Sequence, residues 1–138
     1  MAIETGRQIQ VIIVTPERAV LDEPADMVIL PMYDGEFGVQ PGHSPFVGQL
    51  GPGELRLVAR GSTMRRFFVD GGFAQVRANV VNVLTPKAIP ANEVTPAVAE
   101  QARMAAEAMP ESNPAEQATR QRAIERAKGM ARIAAKSG

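Results

Sequence analysis

The hydrophobic rhythm of the chain changes once, near residue 85. Before that point apolar positions recur every second residue, and after it every third or fourth. In Gln8-Ile9-Gln10-Val11-Ile12-Ile13-Val14 the alternation puts Ile9, Val11 and Ile13 on one face. In Glu54-Leu55-Arg56-Leu57-Val58-Ala59-Arg60 it sets Leu55, Leu57 and Ala59 against Glu54, Arg56 and Arg60. Strands patterned this way bury one side only. Turn signals cut the region at short intervals, at 21–24, Asp34-Gly35, Gly51-Pro52-Gly53, Gly61-Ser62 and Asp70-Gly71-Gly72. Asp34-Gly35, between strand-like stretches at 27–33 and 37–39, predicts a type I′ hairpin with positive φ at both central residues. Pro41, Gly42 and Pro45 then predict a bent, rigid connection from one sheet into another. Short antiparallel strands at this spacing predict an N-terminal antiparallel β-sandwich or flattened barrel over residues 1–84.

Residues 85–94 hold Pro86 and Pro90 and no strong period, as a surface linker does. Residues 95–138 then read as a C-terminal two-helix hairpin. Val98, Ala102, Ala105 and Met109 make one apolar stripe, with Glu100, Arg103 and Glu107 opposite. Thr95-Pro96 supplies the cap and first-turn proline of that helix, and Pro110 ends it. Asn113-Pro114-Ala115-Glu116 starts a second helix as a capping box. Its apolar face is Ala123, Ile124, Ala127, Met130, Ala131 and Ala134. Alanine favours the helix but buries little area, so the hairpin is predicted to be weakly anchored and movable.

Composition sharpens the division. All five phenylalanines and Tyr33 precede residue 74, and the region from Thr95 onward has no aromatic. Cysteine is absent and there is one histidine, which excludes disulfide frameworks and the usual zinc-finger ligand sets and fits a reducing compartment. No apolar run approaches the roughly 18 residues of a membrane span, so a chain soluble by itself is expected. Formal net charge is zero, which gives no expectation of nucleic-acid binding.

Candidate chemistry is sparse. His43 beside Ser44 invites a general-base reading, but neighbours on a bent segment point apart and no carboxylate is placed to orient the ring. A structural or interface histidine is the stronger reading. Glycines at 35, 38 and 42 are followed by no Gly-Lys-Ser/Thr and open no helix, so they are turn glycines rather than a phosphate loop. Glu36, at a hairpin tip, reads by itself as a solvated turn residue. Six Lys or Arg follow Ala115 against Glu116 and Glu125, an excess that attracts acidic surfaces but by itself reads as a solvated helix face. No catalytic, cofactor-binding or metal-binding residue is expected.

Three pieces carry a family resemblance. Gly35-Glu36-Phe37-Gly38-Val39, followed by Pro41-Gly42-His43-Ser44-Pro45, resembles the epsilon subunit of bacterial F-type ATP synthases, counterpart of the mitochondrial delta subunit. Phe68-Val69-Asp70-Gly71-Gly72-Phe73-Ala74-Gln75-Val76 and Asn79-Val80-Val81-Asn82-Val83-Leu84 are similar to later segments of that family. The resemblance spans roughly residues 8 to 93, and the tail agrees with it in character. It implies the same sandwich and hairpin. It also implies a non-catalytic central-stalk (rotor) subunit of a proton-translocating F-type ATP synthase, accessory and regulatory. Such a subunit is peripheral on the cytoplasmic face of the bacterial inner membrane and couples the gamma shaft to the membrane c-ring. By resemblance, Asp34, Glu36 and Phe37 face the c-ring and His43 faces gamma. The arm can extend beside the shaft to meet an acidic segment of the catalytic beta and alpha subunits and block ATP hydrolysis, with Arg122, Arg126 and Arg132 as its contact residues.

Some positions depart from the family pattern. Certain members bind ATP on the folded hairpin through an Ile/Leu-Asp-x-x-Arg-Ala motif. The matching positions, Val94-Thr95-Pro96-Ala97-Val98-Ala99, lack the aspartate and the arginine, so no nucleotide is expected by that route. Gln40 and Gln75 also replace the commoner residues, without breaking a turn. Outside the resemblance, the residues leave open a stand-alone ligand-binding or adaptor sandwich, a small hydrolase using His43, and a nucleic-acid-binding arm.

Overall fold

The computed structural model describes residues 7–137 of the chain. Contacts divide the chain into two units between Ala88 and Ile89. The first holds β1 (Ile9–Val14), β2 (Ala19–Ala25), β3 (Met27–Met32), β4 (Gly35–Val39), β5 (Phe46–Ala59), β6 (Ser62–Arg77) and β7 (Val80–Leu84). These strands are hydrogen-bonded in the order β2-β1-β7-β6-β5-β3-β4. All neighbours are antiparallel except β1 and β7, which run parallel from Gln10 opposite Val80 to Val14 opposite Leu84.

Two long strands make the fold. The 46–50 part of β5 pairs with 72–76 of β6, whose end also pairs with β7. The 52–59 part pairs with 62–70, and β3 adds on its other side. One continuous ladder therefore serves both layers of the sandwich. The predicted alternation holds along it: Val11, Ile13, Leu30, Leu55 and Leu57 are fully buried in one core.

The turn signals at Gly51-Pro52-Gly53 and Asp70-Gly71-Gly72 are not chain reversals, since both lie inside these long strands. At Gly72 glycine serves a close backbone approach. A Cβ on Gly72 would stand 2.0 Å from the Leu84 carbonyl oxygen, and Gly72 also has φ +106. The predicted turn at 21–24 is likewise strand, within β2, where Pro24 sits on an edge that needs no donor. The reversal occurs earlier, where Thr15 N donates to Arg18 O at 2.9 Å.

The type I′ expectation at Asp34-Gly35 is also corrected. Met32 pairs with Gly35, so the two-residue loop is Tyr33-Asp34, and among the described residues positive φ outside glycine occurs only at Arg60, Ala78 and Asn79. The connections with positive φ at both positions are Arg60-Gly61 and Ala78-Asn79. Ala78 carries no turn signal. The twist of the strands it joins selects its conformation over its own preference.

In the second unit, a short strand, β8 (Ala88–Pro90), leads across the boundary into a 3-10 turn at Ala91–Glu93. The stretch 85–94 is thus more ordered than a featureless linker. Helix α1 spans Pro96–Glu107 and α2 spans Pro114–Ser137. Thr95 Oγ1 accepts from Val98 N at 3.2 Å. Asn113 Oδ1 accepts from Glu116 N at 2.9 Å, and Glu116 Oε1 in turn accepts from Ser112 N at 2.9 Å. Both helix starts are capped as predicted, with the reach-back of Glu116 falling on Ser112 N, one residue before the cap.

The apolar face of α1 is rotated from the predicted stripe, whereas that of α2 is largely as predicted, with Ile124 half-buried. Ala99 and Ala106 are the buried positions of α1, while Ala105 is exposed. On α2, Ala123, Ala127, Met130, Ile133 and Ala134 are buried and Ala131 is exposed. On α1, with alanine at 97, 99, 102, 105 and 106, the pattern is too flat to fix the rotation.

Candidate functional site

The β3–β4 ladder carries its loop out beyond the sheet, and Tyr33 N donates to Gln49 O at 2.9 Å to hold the loop against β5. The Tyr33 side chain is 76 % exposed, and Asp34 and Glu36 are exposed beside it. Glu36 is not a lone turn acid. Arg56 on β5 reaches it across the intervening β3, with Nη1 3.1 Å from Oε2 and Nη2 3.4 Å from Oε1. Arg56 Nη1 also lies 3.1 Å from Glu54 Oε1, and Glu54 is paired in turn with Arg66 on β6. The hydrogen bond to Glu36 is the main cause holding the Arg56 guanidinium above its ordinary pKa.

The corner after β4 is tied to a distant turn. Gly42 N donates to Asn79 Oδ1 at 2.8 Å, and the Asn79 carbonyl accepts from Gln10 N at 2.8 Å. His43 Nδ1 lies 2.7 Å from the Ser44 carbonyl oxygen, which accepts only, so Nδ1 carries a proton there. The ring packs between two others. Its centroid is 5.3 Å from Phe37 and 5.3 Å from Phe46, and Phe37 stands 5.2 Å from Phe46 at 78°. An imidazole donating to backbone and walled by phenyl rings has no base–orienter arrangement, which favours a structural histidine over hydrolysis. The structure therefore joins Phe37 and His43, which the resemblance assigned to different partners. Asp34 and Glu36 stand at the tip beside this cluster in sequence.

One surface escaped the sequence reading. Val47, Phe73 and Leu84 are 68 %, 56 % and 54 % exposed. Gln49, Phe73 and Leu84 share one cross-strand row, and Val47, Gln75 and Asn82 the next. Residues alternating with them in the same strands, Ala74, Val76, Val81 and Val83, fill the core. This is the outer face of the β5–β6–β7 layer. Its signal was apolar residues on both parities of strands read as one-sided.

On the arm, Arg122 is exposed, with Nη2 3.3 Å from Thr119 Oγ1, and Arg132 is exposed. Arg126 is half-buried. Arg122 and Arg126 lie one turn apart, whereas Arg132 is turned by about 80° from Arg122 at helical spacing. On α1, Arg103 pairs with Glu100 and with Glu107 at 2.9 Å, which raises its pKa. A groove of about 730 Å³ runs along this hairpin, walled by Ala99, Ala106, Ile124, Ala127 and Arg120 among others. At the nucleotide-motif positions Thr95 caps the helix through its hydroxyl and Val98 stands half-buried in place of the arginine. Among the described residues no cluster of acids, histidines or cysteines could hold a metal ion, and no helix is long and apolar enough to cross a membrane.

Comparison with known proteins agrees with this geometry. Residues 8–91 match the family described as ATP synthase, Delta/Epsilon chain, beta-sandwich domain. The chain is 48 % identical over 124 residues to the ATP synthase epsilon chain of Rhodopirellula baltica, covering 90 % of this chain and 96 % of that one. With the epsilon chain of Syntrophobacter fumaroxidans the identity is 43 % over 102 residues, 74 % of this chain and 75 % of the other. Among solved structures, a chain of the Euglena gracilis mitochondrial ATP synthase, determined with OSCP, F1 and c-ring in rotational state 1, superposes with TM-score 0.76 at 28 % identity. That match covers 89 % of this chain and 79 % of that one. A chain of the Tetrahymena thermophila mitochondrial ATP synthase central stalk and c-ring shares the fold, with TM-score 0.69 at 16 % identity over 95 % and 96 % of the two chains. The sandwich with its bent tip, followed by a capped helical hairpin, thus places this chain in the delta/epsilon chain family of ATP synthase, to which it belongs.

Proposed function

We propose that this chain, as the epsilon-type subunit of the rotor stalk, is a non-catalytic bridge between the gamma shaft and the c-ring, with a C-terminal arm that restrains ATP hydrolysis. The observation that carries the reading is two exposed surfaces on one tightly laddered sandwich. The tip exposes Tyr33, Asp34 and Glu36, and the outer face exposes Val47, Phe73 and Leu84. Torque passes through such a body only if it does not shear, and the β5–β6 ladder running through both layers supplies that stiffness.

In this reading the tip meets the polar loops of the c-ring through Asp34, Glu36 and Phe37. His43 and the neighbouring outer face meet gamma. Exposed aromatic and aliphatic side chains in one row are the usual anchors of a protein interface. The arm, through Arg122, Arg126 and Arg132, engages an acidic segment of the catalytic beta and alpha subunits. Its alanine packing keeps the folded and extended positions close enough in energy for a condition to select one. The subunit is peripheral on the cytoplasmic face of the inner membrane, held there by the c-ring rather than by a span of its own.

ATP hydrolysis by the purified catalytic head tests the reading, measured alone, with the full chain, and with a version ending at Glu93. Both versions should bind, and only the full chain should slow turnover. Equal rates with both bound would leave a coupling subunit with an idle arm, and absence of binding by either would return the stand-alone sandwich to first place.

A further inference from the structure

The tip carries two acids in different states. Asp34 is exposed on the loop itself, whereas Glu36 is already engaged by Arg56. Arg56 is held by a second acid as well. Its side chain is 19 % exposed, and it shares Nη1 between Glu36 and the 8 % exposed Glu54, which is in turn paired with Arg66. The chain of charges runs from β4 over β3 to β5 and β6, on the face turned away from the core that buries Leu55 and Leu57.

We propose that Arg56 is a positioning residue for the tip: its guanidinium fixes the Glu36 carboxylate and neutralises it, so that Glu36 docks as a formed ion pair and Asp34 is the acid left to meet a cationic group of the partner. This rests on the reading of the tip as the c-ring contact. The physical reason is that docking a lone, rotatable carboxylate costs rotamer entropy and desolvation, whereas a carboxylate already held in a planar fork meets less of both on binding. Glu54 and Arg66 matter because a guanidinium shared with a second, anchored carboxylate has little freedom left to lose.

The test is the affinity of the full chain for a ring-and-shaft complex stripped of its own copy of this subunit, with Arg56→Gln, Glu36→Gln, the double variant, Arg56→Lys and Asp34→Asn. Circular dichroism melting of each variant separates folding from docking. Arg56→Gln should weaken binding about fivefold, as should Glu36→Gln, and the double variant should be no weaker than either. Arg56→Lys should restore only part of the loss, because the fork is gone. Asp34→Asn should weaken binding in either background by the same factor. If Glu36→Gln and Asp34→Asn bind as tightly as the native chain, the tip is not the contact and the functional reading fails with it. If Glu36→Gln weakens binding but Arg56→Gln does not, or if their losses multiply in the double variant, the contact stands and the positioning role of Arg56 is overturned.

Discussion

The His43 imidazole stands edge-on to the Phe37 ring, with centroids 5.3 Å apart and planes at 82°. One residue sits on β4 and the other in the bent connection beyond it, so the contact closes the corner on itself, with Phe46 at the start of β5 completing the triangle. The corner is stiff because three rings and a backbone hydrogen bond at Gly42 fix it. It is therefore a place where a small change should reach both proposed contact surfaces at once.

Phe37→Leu removes both edge contacts of that ring while keeping an apolar side chain. Each aromatic pair contributes about 0.5 to 1.5 kcal/mol when buried, and because the site is partly exposed we expect a loss of about 1 kcal/mol in all. Urea unfolding should show it as a lower midpoint with unchanged slope. The His43 ring protons should shift in the NMR spectrum as the neighbouring ring current disappears. An unchanged midpoint together with unchanged shifts would show that the rings do not pack.

Asn79→Ala tests how the corner is tied down. Asn79 accepts from Gly42 N at 2.8 Å and holds φ 64, a region that asparagine tolerates better than alanine. Losing both contributions should cost about 1 to 2 kcal/mol. The Gly42 amide should exchange with solvent faster than in the native chain, and amides in the centres of β5 and β6 should slow or quicken only with global stability. Asn79→Gly keeps the backbone freedom but not the acceptor, so it should recover part of the stability and none of the Gly42 protection.

Gly72→Ala should be the most damaging single methyl in the sandwich. The new Cβ would lie 2.0 Å from a backbone oxygen at a φ of +106, where L side chains are strained. Backbone cannot move aside as a flexible side chain can, so a cost of about 3 kcal/mol or more is expected. Expression in inclusion bodies, or a melting temperature at least about 10 °C lower, would agree. A melting temperature within about 2 °C of the native chain would show that the two strands part more easily than their geometry says.

Acid should weaken the sandwich through Asp26. Its carboxylate accepts from Arg60 N at 2.7 Å and Gln8 Nε2 at 3.1 Å, and these bonds, the backbone one first, hold its pKa below the ordinary 3.8. A carboxyl whose folded pKa is depressed gives stability that is complete above its unfolded value and is lost as pH falls through its folded value. The contribution should therefore be constant near neutrality and fade below about pH 4. Asp26→Asn should melt lower than the native chain at pH 7, with the gap closing as the pH approaches 3. A gap independent of pH would remove Asp26 from the acid response. Glu100, depressed by Arg103, fades over the same range in the hairpin, so melting is best followed by a sandwich signal such as Tyr33 fluorescence.

Much of this molecule is legible in its sequence because the deciding physics is local. Alternation in Ile9, Val11 and Ile13 and in Leu55 and Leu57 names the core, since a strand with one buried face has no other way to place its side chains. Thr95-Pro96 and Asn113-Pro114-Ala115-Glu116 start their helices where they stand, because a cap satisfies amides within its own turn. The motif around Gly35 and His43 identified the family for the same reason: it is one contiguous corner.

Tertiary structure decided what depends on residues far apart. Glycines at 51, 53, 71 and 72 look like turns, yet they lie inside two long strands; the Leu84 backbone at Gly72 and the Pro31 ring at Gly53 leave no room for a side chain. Ala78 takes a positive φ that its own side chain does not favour, since sheet twist sets it. Glu36 looks solvated until Arg56 arrives from across β3, 20 residues on. The rotation of the alanine-rich α1, and hence which of Ala99, Ala105 and Ala106 is buried, has no clear local signal. When every face of a helix is nearly alike, only the partner it packs against chooses between them.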